Sequence, residues 1–178
     1  MVLAAFLFLI LKPAATTSTG QSAVVGVGST APNFSLPNLL STSAVPLGPV
    51  GLDALGKSRH HPVVLNFFAS WCIPCRAETP LLAETAKSEA AKGSPVQFIG
   101  VDVADAPSSA IPFVQQAGIP YPVGVDATLK VTSVLYGMND QPNTYFIDES
   151  GKVIGHRLGA LTASELNGWL HRLAGSRG

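Results

Sequence analysis

A chain of 178 residues with 47% hydrophobic and 12% charged side chains is long enough for one domain with a substantial core and too apolar for a disordered polymer. Its formal net charge is +0 and it has no basic run or basic helix face, which sets aside nucleic-acid and anionic-lipid surfaces as partners.

The chain opens on MVLAAFLFLILK, an apolar run over 1–12 that has the length of a secretory h-region and is short of the roughly 20 residues of a bilayer span. An anchor or signal segment is expected here, placing the rest at the extracytoplasmic face of the cell membrane or outside the cell. No basic residue precedes the run, Lys12 lies on its far side, and no small-x-small cleavage site follows; a start with more of an anchor helix upstream would explain these features, and an apolar N-terminal tag on a cytoplasmic protein is the alternative. Residues 13–25, rich in Pro, Ala, Ser, Thr and Gly without a period, read as a linker, and one domain is expected over 26–175.

NFSLPN and the Pro/Gly-rich stretch 43–61 predict short strands and loops, with LDAL forming one helical turn at most. VVLNFFA, an apolar and partly β-branched run after Pro62, predicts a central strand buried on both faces. Residues 72–92 predict a helix that stops at Gly93 and bends at Pro80, where a backbone hydrogen bond is lost. VQFIGVDV predicts a second buried strand, and 108–117 a helix with Ser109 as N-cap and Pro112 in its first turn. A short strand at 123–125, a weak helix at 129–136, and a hairpin of NTYFID and KVIGHR around ESG complete the middle of the chain. The last helix carries the T-x-x-E capping box Thr162 and Glu165, the staple Leu161 and Leu166, and an apolar face of Leu166, Trp169, Leu170 and Leu173. This order of elements predicts an α/β three-layer sandwich with a mixed central sheet flanked by helices.

ASWCIPCRAETP holds both cysteines, Cys72 and Cys75. Zinc would need two histidines besides, yet His60, His61, His156 and His171 lack finger spacing. They read better as loop residues, with His171 as a cation near a helix C-terminus. A purely structural disulfide closing four residues would remove little loop entropy, roughly 2 kcal/mol. Redox chemistry uses the placement best. A cysteine between a buried strand and a helix meets the unpaired N–H groups at the helix start, and lowering its pKa from about 8.5 to about 7 requires about 2 kcal/mol, within reach of that effect. Cys72 is therefore expected to be the attacking thiolate and Cys75, one turn on, the resolving thiol. No cofactor beyond this pair and no metal is expected.

At these residues the chain resembles the thioredoxin-fold thiol-disulfide oxidoreductases, in particular the membrane-anchored TlpA/ResA-like branch close to the AhpC/TSA redoxins. The resemblance spans roughly 26–173 and rests on GSTAPNFSLPNL, VVLNFFASWCIPCRAETP, GIPYPVGVD and QPNTYFIDESGKV, the W-C-x-P-C-R-x-E-x-P string being the specific part. It implies a thioredoxin-like fold with an N-terminal β extension, and Pro142 as a cis-proline opposite the cysteines that presents the backbone of Gln141 to substrate. Trp71 matches the aromatic before the first cysteine, a position that core packing would explain equally well, and Ile73 and Pro74 form the dipeptide that tunes the reduction potential. Thioredoxins carry a buried aspartate six residues before the first cysteine, where this chain has Asn66. Asp105 matches a position where the TlpA/ResA-like branch often has a carboxylate near the disulfide, a loop acid or helix cap being the alternative. Glu78 reads as a helix-surface charge near the site.

The function implied is a monomeric reductase of disulfides in client proteins, apocytochrome c among them, recharged by a membrane electron donor. A disulfide-forming oxidase is the near variant, because 30 mV amounts to only about 1.4 kcal/mol. A thiol peroxidase is a separate class, disfavoured because Leu65 and Ala69 stand where P-x-x-x-[TS]-x-x-C needs proline and Thr/Ser. A binding module with a permanently buried bridge is the third.

Overall fold

A computed structural model describes residues 24–42, 47–52 and 61–175. The expected anchor at 1–12 lies outside them, as does the expected linker except for its last two residues. The elements are β1 (Val63–Phe68), α1 (Ile73–Ala91), β2 (Gln97–Val103), α2 (Pro107–Gln116), β3 (Val123–Asp126), a π-helical turn (Lys130–Leu135), β4 (Asn143–Ile147), β5 (Val153–Leu158) and α3 (Ala163–Gly175).

The five strands form one mixed sheet in the order β3-β2-β1-β4-β5, with β1, β2 and β3 parallel and β4 and β5 antiparallel. β1 lies at its centre with every residue buried, as its uninterrupted apolar run requires. Alternation divides its side chains between the two faces. Val63, Leu65 and Phe67 join Val25, Phe34, Leu36, Val131, Tyr136 and Met138 on one side, so the N-terminal segment and the π-helical turn make one outer layer. Val25, assigned to the linker by composition, is thus a core residue, and its N–H bonds the Tyr136 carbonyl. On the other side, Val64 packs with Leu82 of α1 and Leu166, Leu170 and Leu173 of α3, while Phe68 packs with Ala110 and Val114 of α2. Right-handed crossovers β1-α1-β2 and β2-α2-β3 running the same way across the sheet put both helices on one face. The β extension consists of isolated bridges, Thr30 with Lys152, Leu36 with Val50 and Asn38 with Gly124.

α1 continues through Pro80, which is exposed, and ends at the C-cap Lys92 before Gly93 at φ 68°. α2 starts earlier than expected. Ala106 is its N-cap and Pro107 its first residue, because the fixed φ of proline suits that position better than a hydroxyl cap at Ser109. Pro112 accordingly falls inside the helix, beyond its first turn. The segment read as a weak helix is π-helical, entered through Leu129 at φ 59°.

α3 forms as its capping box dictates. Thr162 Oγ1 accepts the Glu165 N–H at 3.2 Å, and Glu165 Oε2 accepts the Thr162 N–H at 2.9 Å. Thr162→Ala is expected to cost about 1 kcal/mol, read as a lowered midpoint in urea. Trp169 of α3 stacks on Phe146 at 4.8 Å and lies directly over Gly155, where a Cβ would overlap its Cζ3 and Cη2 atoms. Gly155→Ala is therefore expected to displace the indole and cost about 1–3 kcal/mol, with a change in the near-UV dichroism of Trp169.

Candidate active site

β1 ends at the sheet's C-terminal edge, and the turn Ala69-Ser70-Trp71 delivers Cys72 to the N-cap of α1. Cys72 has extended backbone (φ −81°, ψ 110°), and its Sγ accepts the Cys75 N–H at 3.2 Å, one of the donors that a helix start leaves unpaired. The two sulfurs are bonded to each other. Cys72 keeps 5% of its surface and Cys75 none, so Cys72 is the sulfur an incoming thiolate reaches. The Gln141–Pro142 peptide is cis, as the resemblance implies, and the Gln141 carbonyl oxygen lies 3.6 Å from Cys72 Sγ.

Around this pair the surface is apolar. Trp71 is 57% exposed and Ile73 80%, which overturns the core-packing alternative for Trp71. Trp71, Leu129, Met138 and Gln141 line a groove of about 180 Å³ beside the disulfide. Arg76, in the first turns of α1, donates from Nη1 to the Ser70 carbonyl at 3.1 Å and lies over the Phe113 ring, holding the turn against α2.

Asp105 reaches the same turn from the end of β2. Its Oδ2 accepts the Ser70 N–H at 2.7 Å and its Oδ1 the Ala106 N–H at 2.8 Å, so the carboxylate ties the cysteine turn to the start of α2. The chain gets there through Ala104, at φ 48° in the left-handed region.

Glu78 is not the surface charge that a carboxylate on a helix suggests. It is 2% exposed, with Oε1 accepting from Asn66 Nδ2 at 2.9 Å and Oε2 from the Leu161 N–H at 2.8 Å. Asn66 Nδ2 also reaches Thr144 Oγ1 at 3.0 Å, so β1, β4, α1 and the entry to α3 meet at one carboxylate. Burial raises the Glu78 pKa, opposed by these two hydrogen bonds and by Arg157. Where thioredoxins have an acid on the strand, this chain has the neutral Asn66 and carries the acid on the helix, one turn past Cys75. That swap was the available signal for Glu78.

A second buried acid, Asp102 in β2, was also missed. It is fully buried, and burial followed by the nearby Asp105 carboxylate pushes its pKa up to about 7. An acid inside the apolar run VQFIGVDV was its signature. Of the histidines, His156 lies on β5 and not in a loop, stacked on Tyr145 with Nε2 2.6 Å from Asn143 Oδ1. Burial lowers its pKa.

Residues 27–156 match the AhpC/TSA family. The thiol-disulfide oxidoreductase ResA of Bacillus anthracis is 32% identical over 147 residues, covering 83% of this chain and 78% of the relative. The thiol:disulfide interchange protein DsbE of Xylella fastidiosa is 33% identical over 161 residues, covering 90% and 75%. Among solved structures, MTB DsbF, described in mixed oxidized and reduced forms, superposes with a TM-score of 0.66 at 26% identity, over 79% of this chain and 94% of its own.

Proposed function

This chain belongs to the AhpC/TSA family and is a thiol-disulfide oxidoreductase of its ResA-like branch, and from that membership we propose an outward-facing reductase in which Cys72 attacks and Cys75 resolves. The observation that carries the assignment of roles is the asymmetry of the pair: Cys72, at the helix N-cap, keeps 5% of its surface, whereas Cys75 keeps none.

In the reduced protein the Cys72 thiolate attacks a client disulfide. A bond forms from Cys72 Sγ to one client sulfur, the client S–S bond breaks, and the leaving client thiolate takes a proton from solvent. Cys75 then loses its proton and attacks Cys72 Sγ. The Cys72–Cys75 bond forms, the mixed disulfide breaks, and the second client thiol departs, so two electrons pass to the client. A membrane electron donor reverses the change in the protein. The N–H groups at the start of α1, Cys75 N–H among them, favour the anion on Cys72. The Gln141 carbonyl offers an extended client strand a main-chain acceptor beside the reacting sulfur, and exposed Trp71, Ile73 and Leu129 suit a protein client. Apocytochrome c in its disulfide form is the client that the resemblance to this branch implies.

In this reading residues 1–12 anchor or export a monomeric domain over 26–175 through a linker, and Asp105 supports the site by fixing the cysteine turn. Among the described residues no helix is long and apolar enough to cross a membrane. A peroxidase reading finds no support in Leu65 and Ala69, both fully buried and without a hydroxyl beside Cys72.

Equilibration with glutathione, followed by alkylation of free Cys72 and Cys75, tests the direction of electron flow. A potential near about −270 mV, that of thioredoxin, is the expected result; one near about −120 mV makes the protein an oxidant.

A further inference from the structure

Residues 136–142, which bring the chain from the π-helical turn into β4, pass beside the disulfide, and their carbonyls are fastened from behind. Ser133 Oγ donates to the Met138 carbonyl at 3.1 Å, Asn143 Nδ2 to the Asp140 carbonyl, and the Gly159 N–H to the Pro142 carbonyl at 2.9 Å. Gln141 lies between the last two anchors, its oxygen facing Cys72 Sγ at 3.6 Å. A peptide unit is planar, so with the planes before and after it fixed the Gln141 carbonyl has little room to turn. The anchor on Pro142 is main chain, and any sequence would supply it. The anchor on Asp140 is a side chain, and it belongs to this sequence.

Asn143 opens β4 and is 2% exposed. Which way round its amide sits follows from its partners. The Asp140 carbonyl can only accept, so the nitrogen faces it, and Oδ1 is left toward His156 Nε2 at 2.6 Å, which must then carry a proton. The two bonds run in one direction, from His156 to Asn143 to Asp140, an arrangement in which each polarises the next. The sheet places His156 for this. It pairs with Tyr145 across β4 and β5, so Asn143, two residues before Tyr145, is its diagonal neighbour on the same face. Its ring lies flat on the fully buried Tyr145, 4.2 Å away with the planes 10° apart. The line therefore starts at an aromatic stack in the core and ends on the loop beside the disulfide, with no hydrogen bond to either sulfur.

We propose that Asn143, oriented by His156, is a positioning residue that gives the exchange reaction its selectivity for peptide disulfides: by fixing the Asp140 carbonyl it aims the Gln141 oxygen where a client backbone N–H meets it as the client sulfur meets Cys72. This rests on the reading of the Gln141 carbonyl as a main-chain acceptor for the client. A peptide held by that oxygen brings its sulfur to Cys72 already oriented, and an oxygen aimed elsewhere forfeits the bond. A small disulfide without a backbone needs Cys72 alone and does not register the difference. The pair thus acts on which disulfide is attacked, and the nucleophilicity of Cys72 is left to the start of α1.

The test measures second-order rate constants for the reduced full chain acting on two probes, a synthetic peptide with an internal disulfide and the neutral small molecule dithiodipyridine. The peptide is also made with the backbone nitrogens near its cysteines methylated in turn. The wild type should lose about 3- to 10-fold on a peptide methylated at the nitrogen that meets Gln141, the worth of one neutral hydrogen bond. Asn143→Leu, which keeps the shape of the side chain without its donor and acceptor, should lose a similar factor on the unmodified peptide and be indifferent to the methylation. Its rate on dithiodipyridine should match the wild type, which separates a lost anchor from a damaged site. His156→Phe keeps a ring on Tyr145 and removes the donor. It should show the same selective loss, and it decides the matter if Asn143→Leu does not fold. Variants that reduce the peptide at the wild-type rate, or that slow equally on both probes, would overturn the positioning role although Gln141 still receives the client. If the wild type is indifferent to methylation at every position, the reading of Gln141 fails first.

Discussion

Cys75→Ser in the full chain is expected to leave client proteins attached to Cys72 through stable mixed disulfides, and Cys72→Ser to capture none. A serine hydroxyl at position 75 is a poor nucleophile at neutral pH, so the first exchange still occurs and the second does not. Turnover in either variant should fall by roughly 10³-fold or more, the scale on which a covalent nucleophile is lost. Both proteins should fold, since Cys75 lies in an apolar cluster with Phe68, Ala110 and Val114 where serine differs by one atom. Identification of the trapped proteins by mass spectrometry then tests location as well as chemistry. Proteins of the extracytoplasmic compartment should dominate, and a catch made up of cytoplasmic proteins alone would overturn the outward-facing reading.

The placement of the two sulfurs could be read from the chain because local physics decides it. A run such as VVLNFFA, apolar, partly β-branched and bounded by Pro62 and the cysteine loop, fits a strand covered on both faces, and the helix-forming segment after it puts Cys72 at a helix start before any coordinate is known; the structure makes it the N-cap. α3 was legible for a similar reason: Thr162 and Glu165 satisfy each other within one turn. The start of α2 was not, because Pro107 and Ser109 both carry start signals and the proline at the first helical position prevails over the hydroxyl cap.

The acids were harder to place. A glutamate on a helix is exposed by default, and Glu78 is buried only because the Leu161 amide, 83 residues away in the chain, is brought to it by α3. Nothing local to RAETP signals that partner. Asp102 and Asp105 stand three residues apart with opposite fates, one under the helices without a donor and the other holding two amides at the rim. A family position identifies Asp105, whereas Asp102 is identified only by the incongruity of an acid in a buried strand.

That incongruity has a thermodynamic consequence independent of catalysis. The Asp102 carboxyl is raised in the folded protein from 3.8 to about 7, so between these values the native state binds a proton that the unfolded chain has released. The contribution to stability is fully present below about pH 4 and is lost as pH rises through 7. The shift corresponds to roughly 2–4 kcal/mol, the upper figure holding for a carboxyl without solvent screening. Asp102→Asn keeps the shape of the neutral acid and cannot ionise. Urea titrations of the oxidised proteins should therefore give equal stabilities at pH 4 and a variant more stable than the wild type by about 2–4 kcal/mol at pH 8, with the difference opening between the two. A constant difference across that range would mean that Asp102 does not change its charge, and a variant less stable at pH 8 would mean that the carboxylate has a donor there which the amide cannot replace.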